Sequence, residues 1–467
     1  MDPVRRAASL VAALVLGACA ITGSAPPPAP GVPANWEEPA LSGATAPTPD
    51  WWRTFGSEEL AALVAAALAS NPDIAIAAER VRLAEAQVRI AGASLFPELG
   101  FGAATSRRET RPDGGDWTAS DASSAAFSAS YEIDLWGRNA ADLRSAEASL
   151  RASRFDFETV RLTLLSGVAS GYFQVLSLRG RLAIARENLS IAERVFKVVD
   201  ARVRYGAASA LDLARQQAAV LSLRASIPPL ELQERQTLFA LAILVGRPPE
   251  GFGASGAGVT ALAVPRVAPG IPADLLVRRP DIRSAEAQLA SANANVAAAR
   301  AALLPGILLT GSAGLASNVL VNFLHAPTAA LTLGASLLQP IFDGGRLRGQ
   351  VDAAESRERE LVEAYRRSIL SALADVESAL ASGGRTADQE ALQARVVEQA
   401  RTALRLAEIR YREGVDDLLT VLDAQRTLFQ TRTQNLRALA DYQRGVSEME
   451  RLVGGALEAP PNVPNRQ

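Results

Sequence analysis

The chain has 467 residues, with 48 Lys and Arg against 50 Asp and Glu, for a formal net charge of −2. That balance lacks the basic excess that nucleic-acid binding calls for, so no nucleic-acid partner is expected. One histidine (His325) and one cysteine (Cys19) leave a His-based triad or a Cys/His zinc site without material. No P-loop or dinucleotide glycine fingerprint occurs, so no cofactor, no metal and no enzymatic activity are expected.

Residues 1–18 read as an export signal. Arg5 and Arg6 form a positive n-region, and residues 7–16 form an apolar stretch too short to span a bilayer. Leu16-Gly17-Ala18-Cys19 follows as a bacterial lipobox, with Cys19 as the atom source for lipidation. An ordinary signal peptide with an incidental cysteine is the alternative, but an unpaired cysteine in an exported chain calls for an explanation. Ala rather than Asp at position 20 favours the outer membrane. Residues 25–49 are rich in Pro, Ala and Gly and read as a tether.

The remainder is organised by a repeat at an offset of 208 residues. Pro72-Asp73-Ile74 answers Pro280-Asp281-Ile282, and Pro97 answers Pro305. Gly137-Arg138 answers Gly345-Arg346, and Gly206 answers Gly414. Over 71–97, eleven of 27 positions match, five of them Ala, and the same offset holds throughout. Duplication predicts two pseudo-equivalent halves.

Each half reads as helix, strand, strand, long helix, helix. A short helix is expected over 57–70 and a second from Pro72 to about residue 95, with Pro97 stopping it. Strands are expected at 98–106 and 124–135 around a polar loop, 107–122. In the second, Phe127, Tyr131 and Ile133 alternate with Ser128, Ser130 and Glu132, at about the length of a tilted membrane strand. The later half places strands at 307–316 and 330–341, where Leu308 and Leu338 blur the alternation. Soluble edge hairpins show the same pattern, and the export signal is what favours a barrel.

A long helix is expected from Gly137 to about residue 203, 67 residues and roughly 100 Å at 1.5 Å per residue. Leu143, Leu150, Phe157 and Leu164 repeat every seven positions, as in a coiled-coil seam. Helices 72–95 and 208–246 together reach a similar length. The second half repeats the scheme over 345–412, with a break expected at Gly383-Gly384, and over 417–452. Four strands cannot close a barrel, and an open edge in lipid leaves backbone groups unpaired, so the inserted form must be an oligomer.

Trp51-Trp52-Arg53-Thr54-Phe55, Tyr131-Glu132-Ile133-Asp134-Leu135-Trp136-Gly137-Arg138, Arg278-Arg279-Pro280-Asp281-Ile282, Pro340-Ile341-Phe342-Asp343-Gly344-Gly345 and Tyr411-Arg412-Glu413-Gly414-Val415 through Leu422-Asp423-Ala424-Gln425 carry a resemblance. Over residues 19–455 the chain resembles the TolC-like outer-membrane factors, in the lipoprotein (NodT-type) branch that serves resistance–nodulation–division pumps. The resemblance implies a mainly α fold with a transmembrane β part. Each protomer would give four strands to a trimeric 12-stranded β-barrel, above a long coiled-coil α-helical barrel in the periplasm. Domains are then expected as signal peptide 1–18, lipidated tether 19–56, first repeat 57–256, linker 257–270, second repeat 271–455 and tail 456–467. The implied function is a passive exit duct for small toxic compounds, partnered by a periplasmic adaptor and an inner-membrane pump. A type I secretion duct and a non-conducting periplasmic coiled-coil lipoprotein remain as alternatives.

The resemblance also implies sites. The helix tips at Gly206-Ala207-Ala208-Ser209 and Gly414-Val415-Asp416-Asp417 are expected to meet the adaptor. Read without it, the second tip is a plain helix–turn–helix with Asp416 as N-cap. Leu419 and Asp423, four apart on one helical face, would line the periplasmic gate as an apolar ring and an anionic ring. The alternative places Leu419 in the coiled-coil seam and Asp423 on a solvated face. Tyr411 matches a tip tyrosine of the family. Thr420 stands where some relatives carry a second acidic ring, and Asp416 where some carry a tip arginine. Pro97, Pro305 and Pro340 are expected at helix–strand junctions, turning the chain from tunnel to barrel.

Overall fold

A computed structural model describes residues 31–39, 43–256, 258–317 and 327–453. Cys19, the signal segment, His325 and the tail 456–467 lie outside the described residues. The elements are α1 (Glu58–Ser70), α2 (Pro72–Ala93), β1 (Glu98–Thr110), β2 (Thr118–Ile133), α3 (Arg138–Arg204), α4 (Ala210–Ala225), α5 (Ile227–Val245), α6 (Leu275–Arg278), α7 (Pro280–Ala301), β3 (Gly306–Ser317), β4 (Thr328–Leu338), α8 (Arg346–Arg412) and α9 (Leu418–Val453). The expected order holds in both halves.

Several boundaries differ from the sequence reading, each for a local reason. β1 and β2 run on to Thr110 and back from Thr118, so their loop is 111–117 rather than 107–122. Backbone pairing continues past the apolar residues because Ser, Thr and Arg close a ladder as well as Phe does. β4 ends at Leu338, before Pro340, which has no N–H to continue it. The helix expected over 208–246 is two helices that meet at Ser226. Pro228 and Pro229 lack the donors that would bond the carbonyls four residues back. The reverse error concerns Gly383-Gly384, where a break was expected. α8 runs unbroken through both glycines, which keep their N–H groups and cost a helix only about 1 kcal/mol each.

The chain divides into two compact units. Among the described residues, one holds 80–154 and 284–367, and the other holds 31–79, 155–283 and 368–453. The first contains a four-stranded antiparallel sheet, in the order β1-β2-β3-β4. Its register decides which side chains share a face. Phe101 lies opposite Phe127, Phe127 opposite Ala313, and Ala313 opposite Leu331. Leu99, Ala129, Gly311 and Leu333 form the next such row. The odd-numbered face is thus apolar over 99–103, 125–133, 307–315 and 329–337, and turns polar toward the β1–β2 loop at Thr105, Arg107, Glu109 and Asp121. The even-numbered face carries Gly100, Ser128, Ser312 and Thr332, with Leu308 and Leu338 as its large apolar members. A recess of about 370 Å³ opens there, lined by Glu98, Gly100, Ser128, Thr310, Ser312 and Thr332.

The strand–helix junctions of this unit are built from caps. Asp134 accepts from the N–H groups of Asn139 (3.1 Å) and Ala140 (2.8 Å) at the start of α3. Asp343 accepts from Gly345 and Leu347 (both 3.0 Å) at the start of α8. Trp136 Nε1 donates to the Pro305 carbonyl at 2.8 Å, tying the end of β2 to the start of β3. Pro97 and Pro305 each immediately precede a strand, and Pro340 follows one.

The second unit has the denser core, around Trp51, Phe55, Leu60, Tyr172, Phe173 and Leu241. The tether segment is anchored there: Trp36 Nε1 donates to the Gly270 carbonyl (2.8 Å), and the Glu37 N–H donates to Glu377 (2.8 Å). Arg279, opening α7, is buried and paired with Asp281 at 2.6 Å and Asp375 at 3.3 Å. No single helix among the described residues is long and apolar enough to cross a membrane.

Candidate functional site

The two helix tips, both in the second unit, are built alike. At the end of α3, Gly206 adopts φ of 72°, and the Ala207 N–H reaches back to the Arg202 carbonyl at 2.8 Å. At the end of α8, Gly414 adopts φ of 74°, and the Val415 N–H reaches the Arg410 carbonyl at 2.9 Å. Both are glycine-terminated helix ends whose left-handed residue excludes a side chain at low cost. Each following helix starts on a side-chain cap. Ser209 accepts from the Asp212 N–H at 3.1 Å, and Asp212 answers by accepting from the Ser209 N–H and hydroxyl. Those bonds hold the Asp212 carboxyl below its ordinary range.

In the second tip the cap is Asp417, not Asp416 as the plain reading had it. Asp417 accepts from the N–H (3.0 Å) and hydroxyl (2.9 Å) of Thr420. Thr420 therefore spends its hydroxyl on the cap. Asp416 turns back and accepts the Arg410 guanidinium through both oxygens, at 2.7 and 3.0 Å. Hydrogen bonding by Arg410, then its charge, lowers the Asp416 carboxyl, and Arg410 is raised in return. Tyr411, beside it in sequence, accepts a hydrogen bond on its hydroxyl from Arg202, whose guanidinium also stands 5.5 Å from the ring centre. The two tips are thereby cross-linked within one chain.

Leu419 is half exposed on the first turn of α9, and Asp423 lies one turn on, paired with Arg426 at 2.9 Å. Of the expected site residues, the structure brings Tyr411, Gly414, Asp416, Asp417 and Thr420 into one cluster, while Leu419 and Asp423 share the adjoining helical face. Ala207, Ala208 and Val415 sit in the turns themselves. Sequence reasoning missed Arg202 and Arg410. They are 208 residues apart, so the repeat offset that paired Gly206 with Gly414 also marks them.

A sheet with one largely apolar face and one face of small and polar residues, joined to very long helices, is an architecture shared with solved outer-membrane channels. The match to the family model "Outer membrane efflux protein" covers residues 63–247 and again 271–455. The chain belongs to that family and is an outer-membrane efflux channel, the outer-membrane component of an efflux pump. It is 44% identical over 443 residues to the pyoverdine export outer membrane protein OpmQ of Pseudomonas putida, covering 92% of this chain and 93% of the relative. It is 33% identical to the outer membrane protein OprJ of Pseudomonas aeruginosa, covering 98% and 97%. Among solved structures, a membrane protein from Pseudomonas aeruginosa superposes with a TM-score of 0.85 at 30% identity, covering 93% of this chain and all of that one. The open-state MtrE channel of Neisseria gonorrhoeae gives 0.85 at 28% identity, covering 93% and 98%.

Proposed function

We propose that three copies assemble into a passive exit duct that carries small toxic compounds outward and catalyses no reaction. An inner-membrane resistance–nodulation–division pump supplies the energy, and a periplasmic adaptor meets the tips at residues 206–209 and 414–417. Cys19 carries the lipid that anchors the chain, and Leu419 and Asp423 line the periplasmic entrance. The observation that carries this reading is the sheet: its apolar face suits lipid, its small-residue face suits a lumen, and among the described residues neither outer edge is paired. Single-channel recording in planar bilayers tests it. Discrete conductance is expected, and silence from correctly folded trimer would leave a scaffold instead.

A second substrate reading comes from the relatives at 44% and 43% identity, both pyoverdine export proteins, which favour a siderophore as cargo. Measuring extracellular siderophore alongside survival on drugs, solvents and metals, with and without the gene, separates the two.

The Arg410–Asp416 pair is proposed to hold the second tip in its resting shape. Arg410→Ala and Asp416→Asn are each expected to raise conductance a few-fold, on the order of what one exposed contact controls. The double variant should open the duct no further than either single one, because one contact is lost in all three. The Asp416 carboxyl is lowered, so its contribution persists above the ordinary carboxylate value and is lost only as pH falls through the depressed one. Acid should therefore open wild type only below about pH 4. Opening near pH 6 would assign the effect to another group.

A further inference from the structure

Where α3 crosses α9, arginines are matched to carboxylates, with two exceptions. Arg179 pairs with Glu234 and Arg186 with Glu231, both at 2.7 Å, and Arg432 pairs with Glu187 at 2.9 Å. Asp441 is taken by Arg444. Arg181 on α3 and Arg437 on α9 have no side-chain hydrogen bond or ion pair among the described residues.

The two unmatched arginines lie on one flank of the crossing. The helices run antiparallel: the Ser177 hydroxyl donates to the Leu436 carbonyl at 3.4 Å, and further along α3 Glu187 meets Arg432, earlier on α9. Gly180 faces Leu436 so closely that a β-carbon there would stand 2.8 Å from Leu436 Cδ1. Arg181 and Arg437 are each the next residue after that contact. One residue turns a helix by about 100°, and in an antiparallel pair both turns lead to the same side of the seam. Burial, then the charge of Arg437, lowers the Arg181 guanidinium from its ordinary value.

Arg181 is 8% exposed. Its Nε is sealed without an acceptor, while its terminal nitrogens are not sealed, so the guanidinium meets solvent by its tip. Arg437, beside it, is exposed. A buried cation next to a second cation, with no carboxylate for either, is costly. The fold does not demand it. The repeat offset puts Gln389 and Pro229 at the equivalent positions, and neither carries a charge.

We propose that Arg181 and Arg437 together hold a small tetrahedral oxyanion of the phosphate or sulfate class. A dianion balances both charges at once, and its oxygens suit the planar fork of a guanidinium. Chloride brings one charge and no oxygen edge. Once bound, the anion braces α3 against α9. Arg181 lies 25 residues before Gly206, roughly 37 Å along the helix, so this site is separate from the tips.

Thermal unfolding of the full-length protein in detergent tests the site, in sodium phosphate, sodium sulfate or sodium chloride at matched ionic strength. Phosphate and sulfate also stabilise proteins by exclusion from their surfaces, so each is kept to about 10 mM and the comparison is between variants. Wild type and Arg186→Gln, whose arginine is already paired, should gain a few degrees from either oxyanion over chloride. Arg181→Met and Arg437→Gln should lose most of that gain. In chloride, Arg181→Met should unfold no earlier than wild type, because it removes an unbalanced buried charge. If Arg181→Met does not fold, the exposed Arg437→Gln carries the comparison. Equal gains in every variant would show an effect exerted elsewhere and overturn the site. No gain in wild type overturns it too. If, in addition, both variants unfold earlier than wild type in chloride, the arginines are held by a carboxylate of another copy and not by a free anion.

Discussion

Asp423→Ala is expected to lower the cation-over-anion permeability of the duct on the order of tenfold. Threefold assembly would place three such carboxylates around one entrance. Three unit charges at about 6 Å from a passing ion in water contribute roughly 2 kcal/mol, favourable for a cation and unfavourable for an anion. Salt screening over about 8 Å and the Arg426 guanidinium, 2.9 Å from Asp423, reduce that figure. Arg426→Ala should then move selectivity the opposite way, since it leaves the carboxylate unopposed. Reversal potentials under a KCl gradient give both numbers from one preparation. If Asp423→Ala leaves the reversal potential unchanged, the residue faces away from the ion path and the gate assignment falls with it.

Glu450→Gln is expected to stabilise the folded chain by about 3 kcal/mol in mild alkali and by little at pH 5. Glu450 lies on α9 at 4% exposure, and its Oε2 has no hydrogen-bond partner among the described residues. Burial alone raises its carboxyl from 4.5 to about 7, and each unit is worth about 1.4 kcal/mol. The folded value lies above the unfolded one, so stability is whole below pH 4.5 and is lost as pH rises through about 7. The neutral isostere removes that loss. Thermal unfolding in detergent at pH 5 and pH 8.5 should show the variant gaining a few degrees only at the higher pH. An equal gain at both would mean the amide stabilises by packing, with no role for ionisation.

The tips show how far sequence reading reached. Gly206 and Gly414 were legible because a helix can reverse that tightly only where a left-handed residue is tolerated, and both have positive φ. Asp416 and Asp417 were not separable from sequence, because adjacent aspartates offer the same oxygen one residue apart. The structure gives the cap to Asp417 and the ion pair to Asp416, since the chain's exit from Gly414 aims one at Thr420 and the other at Arg410. Arg202 reaches Tyr411 from a helix 209 positions earlier, a contact no local pattern encodes.

By itself, the sequence determined the duplication, the order of elements and the unbroken rod of α3. Each follows from periodicity and from proline and glycine placement. Only the tertiary structure decided the strand ends, the break at Ser226, the continuity through Gly383-Gly384 and the register that sorts apolar from polar faces. Those depend on which backbone groups find partners across space, and a side-chain pattern carries that information only in part.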